Sequence, residues 1–393
     1  MTFGIGVFQA YFEKEVFYGV PNAQFQLSFA GTLIDVMVSS AGPLFQIIQS
    51  RFGVRTIIAI GALMMVLGLE LAGFTTQIWH LYLTQGLLFG IGAAFLYVTS
   101  LSVPSQWFYR RRGLSFGIVT SGSGVGGVVL PFIITDLTNR VGFAWTYRIL
   151  GLMYLGMNTI AFFLVKEKYP QNKKIKVAED GEEQPAVSPP TLREIFDFSI
   201  FKDSTFLLWM VASVIATLNF FTPFFFLPSY ALYNGLTTTD GTAFSAVLSG
   251  ASCIGRIGIG FVGDRIGRIN TLIICSIISG ATVLGIWMIA YDYNTIMAFA
   301  IIYGLFSSAY YTLVSPITAT IVGIQRYPTA LSTMLLSNAI SSLGPTIASG
   351  IQNNISAPPY LIYKVYTGAT YLLGSLLLLG LKIKMTRRAF TKI

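Results

Sequence analysis

Residues 260–268 read GFVGDRIGR, a short charged stretch between two long apolar runs. A related stretch, SRFGVR at residues 50–55, stands between two other apolar runs near the start of the chain. Counted along the chain, the first stretch follows the eighth run and the second stretch follows the second run. Each therefore occupies the same place in a block of six, and the repetition predicts two halves of similar structure.

The composition excludes a soluble globular protein. Apolar residues make up 54% of the 393 residues and charged residues only 10%, with a mean hydropathy of +0.68, whereas soluble domains carry about 25% charged residues. A helix needs about 20 apolar residues to cross the hydrocarbon core. Runs of that length occur at 26–48, 56–75, 78–103, 113–137, 143–166, 204–231, 242–262, 271–291, 295–323, 328–351 and 360–382.

A twelfth apolar run, residues 1–12, is shorter than the others and ends at Glu13. We therefore predict an all-α polytopic membrane protein with 12 transmembrane helices in a 6+6 arrangement, the first helix being truncated at its start. The short run has three interpretations: the helix tilts or draws in Tyr18 and Val20, the protein starts further upstream, or the chain is a truncated inactive product.

The halves are predicted to be residues 1–166 and 204–393, each a six-helix bundle, joined by a linker at 167–203. The linker is charged and contains prolines, and its Thr191 and Glu194 have the spacing of a capping box, so its end is either a helix on the membrane surface or a solvated turn. Loops on one side of the membrane hold 20 Lys and Arg residues against four on the other. By the positive-inside rule both termini and the linker are cytoplasmic, and the plasma membrane is the expected location.

Several functions find no support in the residues. The net charge of +9 comes from basic residues between the spans, so no nucleic-acid partner is expected. One His and two separated Cys do not make a metal site, and we expect no cofactor and no enzyme activity. Without a Walker motif ATP is not the energy source.

The GSGVGG stretch at 122–127 has the spacing of a dinucleotide fingerprint, but inside a spanning helix it indicates close helix packing.

The stretch from residue 107 to 117, WFYRRRGLSFG, and the SG pair at 121–122 resemble the second signature of the monocarboxylate porter family, in its fungal branch, within the major facilitator superfamily. The signature residues here are Trp107, Phe108, Arg110, Arg111, Arg112, Gly117 and Gly122. GFVGDRIGR resembles the conserved cytoplasmic loop motif of the superfamily, although Ser50 replaces the acidic residue in the first half. The resemblance implies two six-helix bundles related by a pseudo-two-fold axis and rocker-switch transport.

Charged side chains within spans are costly and mark candidate functional sites. Arg256 lies in the eighth run with Ser252 one turn earlier, and Asp35 lies near the middle of the second run. The resemblance implies that an Arg on helix eight binds a substrate carboxylate. In animal members a proton-carrying Asp stands where this chain has Ser252. Arg256 could instead reach the cytoplasm or brace Asp264, and Asp35 could carry a proton, pair with Arg256 or face a neighbouring helix.

Asn219 precedes Pro223 and Pro228 in the seventh run, and we expect these prolines to bend the helix. Asn219 is then either a substrate ligand or a cap for a freed carbonyl, and Asn338 in the eleventh run is a weaker candidate ligand.

Basic and acidic residues in the loops after the second and eighth runs form a second candidate set. In the superfamily such loops form ion pairs that hold one conformation closed. The resemblance therefore implies a conformational latch, and a purely topological role of the basic residues is the alternative. The set contains Arg51, Arg55, Asp264, Arg265 and Arg268.

These observations predict a secondary transporter of small monocarboxylates or related organic metabolites. Its partners are that organic acid or metabolite, membrane lipid and, as a candidate coupling ion, the proton. An efflux transporter of a secondary metabolite is the nearest alternative because the seventh run is rich in Phe. A membrane sensor that does not transport is an alternative from another class.

Overall fold

The computed structural model describes residues 8, 11–18, 20, 23–40, 42–108, 111–166, 198–354 and 358–386, and within them it contains helices and no strand. Eight helices of this described part are long and apolar enough to cross a membrane. The prediction of an all-α membrane protein is confirmed.

Within its described residues the first half contains six helical segments, and two glycines divide longer helices there. Gly53 divides Gly42–Ala72, and Gly142 divides Arg112–Leu164. The prediction of a truncated first span concerns residues 1–12, most of which lie outside the described residues. The segments are α1 (Phe12–Val16), α2 (Ala23–Ser40 and 42–52), α3 (53–72), α4 (78–107), α5 (112–141) and α6 (143–164).

The second half begins after a short 3-10 helix, Phe198–Lys202, and the side chain of Asp203 caps the next helix. The rest of the predicted linker, including Thr191 and Glu194, lies outside the described residues, and the halves' boundaries stay a prediction. The segments are α7 (Ser204–Thr217 and Thr222–Tyr233), α8 (Thr238–Ile266), α9 (Arg268–Thr282 and Val283–Trp287), α10 (Tyr293–Ser307 and 309–322), α11 (324–341 and Gly344–Asn354) and α12 (Leu361–Thr386).

The repeated loop motif makes the same backbone turn in both halves. Gly53 between α2 and α3 has φ 78°, and Gly267 between α8 and α9 has φ 101°. Side chains with a Cβ disfavour positive φ, whereas glycine adopts it readily. The glycine shared by the two motifs therefore lets consecutive helices reverse direction within a single residue.

The break in α7 lies beside one of the two prolines and not at the other. The helix is interrupted at residues 218–221, before Pro223, and it continues through Pro228. Pro223 lies in the first turn of the new segment, where its missing N–H has no helical partner to lose. The break thus lies where Pro223 is expected to interrupt the helix, one turn before it, whereas Pro228 is accommodated inside the second segment.

The two halves share a hydrophobic core on one side of the molecule. We call the side where α5 begins and α8 ends the linker side. There, side chains of both halves form one buried cluster, whereas on the opposite side each half has a cluster of its own. The conformation is thus closed on the linker side. The shared cluster contains Ile57, Phe95, Val98, Leu101, Phe116, Ala319, Tyr327, Leu331 and Leu335.

Candidate functional site

Arg256 lies on α8 at the contact between the two halves. Its side chain is only 5% exposed. Its Nη1 donates to the carbonyl oxygen of Thr120 on α5, at 2.6 Å, and to the hydroxyl of Ser123 on the same helix. The guanidinium does not reach Asp264, so the alternative in which Arg256 braces that residue is wrong. A cation of the second half is instead bound by neutral acceptors of the first half.

Two buried donors beside these contacts have no hydrogen-bond partner among the described residues. One is Nε of Arg256 and the other is the hydroxyl of Ser252, one helical turn away on α8. A buried donor without a partner carries a desolvation cost of about 1–3 kcal/mol. The same face of α8 therefore offers two donors that a bound group could satisfy.

The close approach of α5 and α8 depends on small residues. Gly117 lies against the carbonyl of Arg256, and a Cβ at Gly117 would collide with it. A Cβ at Gly124 would lie 2.7 Å from that of Cys253, so this member of the glycine-rich stretch packs as predicted. Gly122, in contrast, faces open space. The glycine contacts bring the α5 backbone near enough for Arg256 to reach the carbonyl of Thr120.

Aromatic side chains surround the same region. The Arg256 guanidinium lies close enough to the phenol groups of Tyr97 on α4 and Tyr311 on α10 to interact with them electrostatically. Tyr311 contacts the rings of Phe220 and Phe221 in the α7 break, with centroid distances of 4.8 and 6.2 Å. The site thus combines one buried cation with several partly exposed aromatic rings.

Asp35 lies on α2 and is half-buried, within electrostatic range of Tyr311. Tyr311 in turn neighbours Arg256, so the two predicted charged residues border the same aromatic group. Proton coupling by Asp35 stays a prediction.

The two predicted asparagine ligands both have protein partners. Asn219 accepts a hydrogen bond from Thr222 at 2.9 Å and donates to Thr370 on α12 at 3.4 Å. Asn338 exchanges hydrogen bonds with the hydroxyl of Tyr310 on α10, at 2.9 and 3.1 Å. Both contacts of Asn219 are with side-chain hydroxyls and tie the α7 break to α12, so its role as a substrate ligand or as a cap for a freed carbonyl stays a prediction.

The predicted latch residues have different environments. Asp264 accepts hydrogen bonds from the backbone N–H groups of Gly113 and Leu114, each at 3.0 Å, and pairs with Arg268 at 3.2 Å. Arg265 lies over the ring of Phe261, 4.1 Å from its centroid. Arg55 is exposed, and the side chain of Arg51 is outside the described residues. Among the described members of the set, only Asp264 uses one of these contacts to reach the other half of the molecule.

The described signature residues lie at the end of α4 and in the first half of α5. Trp107 donates to the carbonyl of Lys166 at 3.0 Å, and buried Arg112 donates to the carbonyl of Phe108 at 3.1 Å. Arg111 is exposed, and Arg110 lies outside the described residues. The signature therefore connects the end of α4, the start of α5 and the end of α6.

Sequence reasoning missed Thr120, Ser123, Tyr97 and Tyr311. Uncharged residues in spanning helices are common, so their identity alone does not mark them. The sequence does contain a signal for the contact face of α5. Its glycines at positions 113, 117 and 124 are four and seven residues apart, and they define the face that packs against α8.

The known proteins compared with this chain below are transporters or efflux proteins by name. Residues 3–345 match the model of the Major Facilitator Superfamily. The chain is 30% identical to the MFS transporter asaE of Aspergillus flavus, over 96% of this chain and 82% of that protein. It is 28% identical to the agnestins efflux protein AgnL12 of Paecilomyces divaricatus (98% and 84% covered) and 27% identical to the fujikurins efflux protein of Gibberella fujikuroi (99% and 80%). The crystal structure of the human organic anion transporter MFSD10 superposes with a TM-score of 0.70 over 95% of this chain and 89% of that one. At 12% identity that likeness concerns the fold alone.

Proposed function

The chain belongs to the Major Facilitator Superfamily, and we propose that it exports an organic anion with an apolar body by alternating access. The family membership makes it an integral membrane transporter of a small molecule. The identity of the substrate, the direction of transport and the role of Arg256 are the parts that we propose.

The observation that carries the proposal is the unpaired charge of Arg256. Within the described part of the chain no carboxylate forms an ion pair with it. Burying a cation without a counter-ion costs several kcal/mol in a low-dielectric interior, at order of magnitude. A substrate carboxylate would offset that cost and could accept two parallel hydrogen bonds from the guanidinium.

The aromatic rings near Arg256 support an apolar body for the substrate. Tyr311 and Phe221 are partly exposed. Phe224 and Phe225 extend this group of aromatic rings along the α7 segment. Binding sites for small molecules typically combine a few polar groups with apolar and aromatic walls. Two of the relatives are efflux proteins by name, which favours export of a secondary metabolite. The basic loops favour a cytoplasmic linker side, so the conformation closed on that side would face outwards.

Uptake of small monocarboxylates with proton coupling at Asp35 is the second candidate. It is supported by the resemblance of residues 107–122 to the monocarboxylate porter signature and by the position of Asp35 near Tyr311. It differs from the first candidate in substrate size and in direction.

The test uses membrane vesicles of both orientations and three radiolabelled probes: naphthoate, its neutral amide and lactate. We expect inside-out vesicles to accumulate naphthoate and not the amide. Arg256→Gln should lower naphthoate transport about tenfold or more, because hydrogen bonds to charged groups are worth about 1.5–3 kcal/mol. Arg140→Gln is the matched control, since Arg140 forms an exposed ion pair with Asp136.

Proton-dependent accumulation of lactate in right-side-out vesicles would support the second candidate. Equal transport of naphthoate and its amide, or full naphthoate transport by Arg256→Gln, would reject the role of Arg256.

A further inference from the structure

The contacts of Arg256 join the two halves of the molecule. Its Nη1 donates to the Thr120 carbonyl and the Ser123 hydroxyl of α5 in the first half. Both bonds require the close contact of α5 and α8. Alternating access separates the halves on the linker side, so these bonds are made in the linker-closed conformation and broken when that side opens.

We propose that α5 displaces the substrate anion from Arg256 when the linker side closes, with Ser123 as the positioning residue for this exchange. This inference rests on the proposed export function. With the linker side open, all donors of the guanidinium are available to the anion. With that side closed, two acceptors of α5 occupy Nη1, and the anion retains only the donors that remain. The affinity for the substrate therefore falls on the side where an exporter must release it.

The geometry of the guanidinium explains why the anion is weakened and not excluded. The two N–H groups of Nη1 face Thr120 and Ser123, whereas Nε has no partner among the described residues. A carboxylate can bind a guanidinium through either of two edges. Contact with α5 removes the edge that includes Nη1 and leaves the edge that includes Nε, next to the hydroxyl of Ser252.

The chain offers a matched control on the same helix. The hydroxyls of Ser121 and Ser123 both donate to backbone carbonyls within α5, Ser121 to Ile118 at 2.7 Å and Ser123 to Thr120 at 2.9 Å. Only the Ser123 hydroxyl also accepts a hydrogen bond from Arg256. Alanine at either position removes a similar local bond, but only Ser123→Ala removes an acceptor of Arg256.

The experiment measures naphthoate binding in the linker-closed conformation. A disulfide between Val128→Cys and Gly250→Cys would hold α5 against α8 beside Arg256, and with it the contacts that Arg256 makes in that conformation, because a Cβ at Gly250 would lie 3.6 Å from Cγ2 of Val128. Cys253 and Cys275 are both replaced by Ala in this background. The purified, cross-linked protein is compared as the parent and with Ser123→Ala, Ser121→Ala, Ser123→Thr or Arg256→Gln.

Ser123→Ala should bind naphthoate about threefold to tenfold more tightly than the parent, as expected for loss of one competing hydrogen bond. In the protein without the engineered cross-link, Ser123→Ala should export naphthoate more slowly, because release is the step that is impaired. Ser121→Ala should match the parent, and Ser123→Thr, which keeps the hydroxyl, should restore parental affinity. A hydroxyl with a merely structural role would lower the melting temperature without raising affinity.

Unchanged or weaker binding by Ser123→Ala, with binding abolished in Arg256→Gln, would overturn the displacement while leaving the proposed function intact. Absent binding in the parent both before and after reduction of the cross-link, or parental binding by Arg256→Gln, would instead reject the proposed function and the displacement with it.

Discussion

Asp264 is the residue whose role depends most directly on its charge. Its carboxylate accepts the backbone N–H groups of Gly113 and Leu114, which belong to the first turn of α5. Amides in the first turn of a helix lack helical partners, and the helix dipole favours a negative charge there. Asp264 belongs to the second half, so this contact joins the halves on the linker side, and its role as a latch stays a prediction. In the first half, the corresponding position is Ser50, which cannot supply a carboxylate.

We predict that Asp264→Asn weakens the linker-closed conformation by about 1–3 kcal/mol, because the amide lacks the charge and one acceptor. The rate of disulfide formation between Val128→Cys and Gly250→Cys measures this population, and it should fall together with transport. Binding of naphthoate should not weaken, because the linker-open conformation, which gains population, leaves every donor of Arg256 available to the anion. Asp136→Asn, which breaks an exposed ion pair with Arg140, is the control and should have no effect. Lost affinity with intact turnover would contradict the assignment.

At the scale of the helices, the pairing of α5 with α8 decides how the halves meet. Gly113 and Gly117 of α5 lie against the backbone of Gly260 and Arg256, and Gly124 lies against Cys253. Without side chains in between, the two backbones approach closely, as small residues permit in membrane helices. This pairing also sets the distance from Arg256 to α5.

We predict opposite effects for two alanine substitutions within α5. Gly117→Ala should destabilise the linker-closed conformation by about 1–3 kcal/mol, because its methyl group has no space beside the Arg256 carbonyl. Gly122→Ala should be neutral or stabilise α5 by up to about 1 kcal/mol, because no atom lies within 4 Å and alanine favours a helix. Melting temperature in detergent and the cross-linking rate measure both effects. Equal effects would mean that the α5–α8 contact is looser than described.

Across the whole molecule, the halves are joined on the linker side and have separate cores on the other. The shared cluster around Phe95, Phe116 and Leu331 buries apolar surface between the halves. This burial favours the linker-closed conformation, whereas the outer clusters stabilise each half independently. Under the proposed alternating access, the two halves would rotate about the site as compact units.

We predict that the cross-link between Val128→Cys and Gly250→Cys stops transport, since alternating access requires α5 and α8 to separate. Reduction with dithiothreitol should restore the rate. Each single-cysteine variant, treated with the same oxidant, is the control. Sustained transport in a fully cross-linked sample would show that the halves need not part at this contact.

The order of the spans was predictable because each must bury its backbone hydrogen bonds in lipid, and so each appears as one apolar run. The repeated loop motif with Gly53 and Gly267 predicted two halves of similar structure, and the matching turns agree with it. Arg256 could be identified because a charge within an apolar run is rare and costly. These features depend on one helix at a time, and local sequence determines them.

The partners of Arg256, Asn219 and Asp264 were decided by the tertiary structure alone. Arg256 reaches Ser123 from 133 positions further along the chain, and Asp264 binds backbone amides, which no side-chain pattern reveals. Such contacts depend on how far each helix is rotated about its axis and on the register of α5 against α8. Both are set by packing between the two halves, to which every helix at the interface contributes. Local sequence therefore determined which residues enter the membrane, and packing between distant segments decided which of them meet.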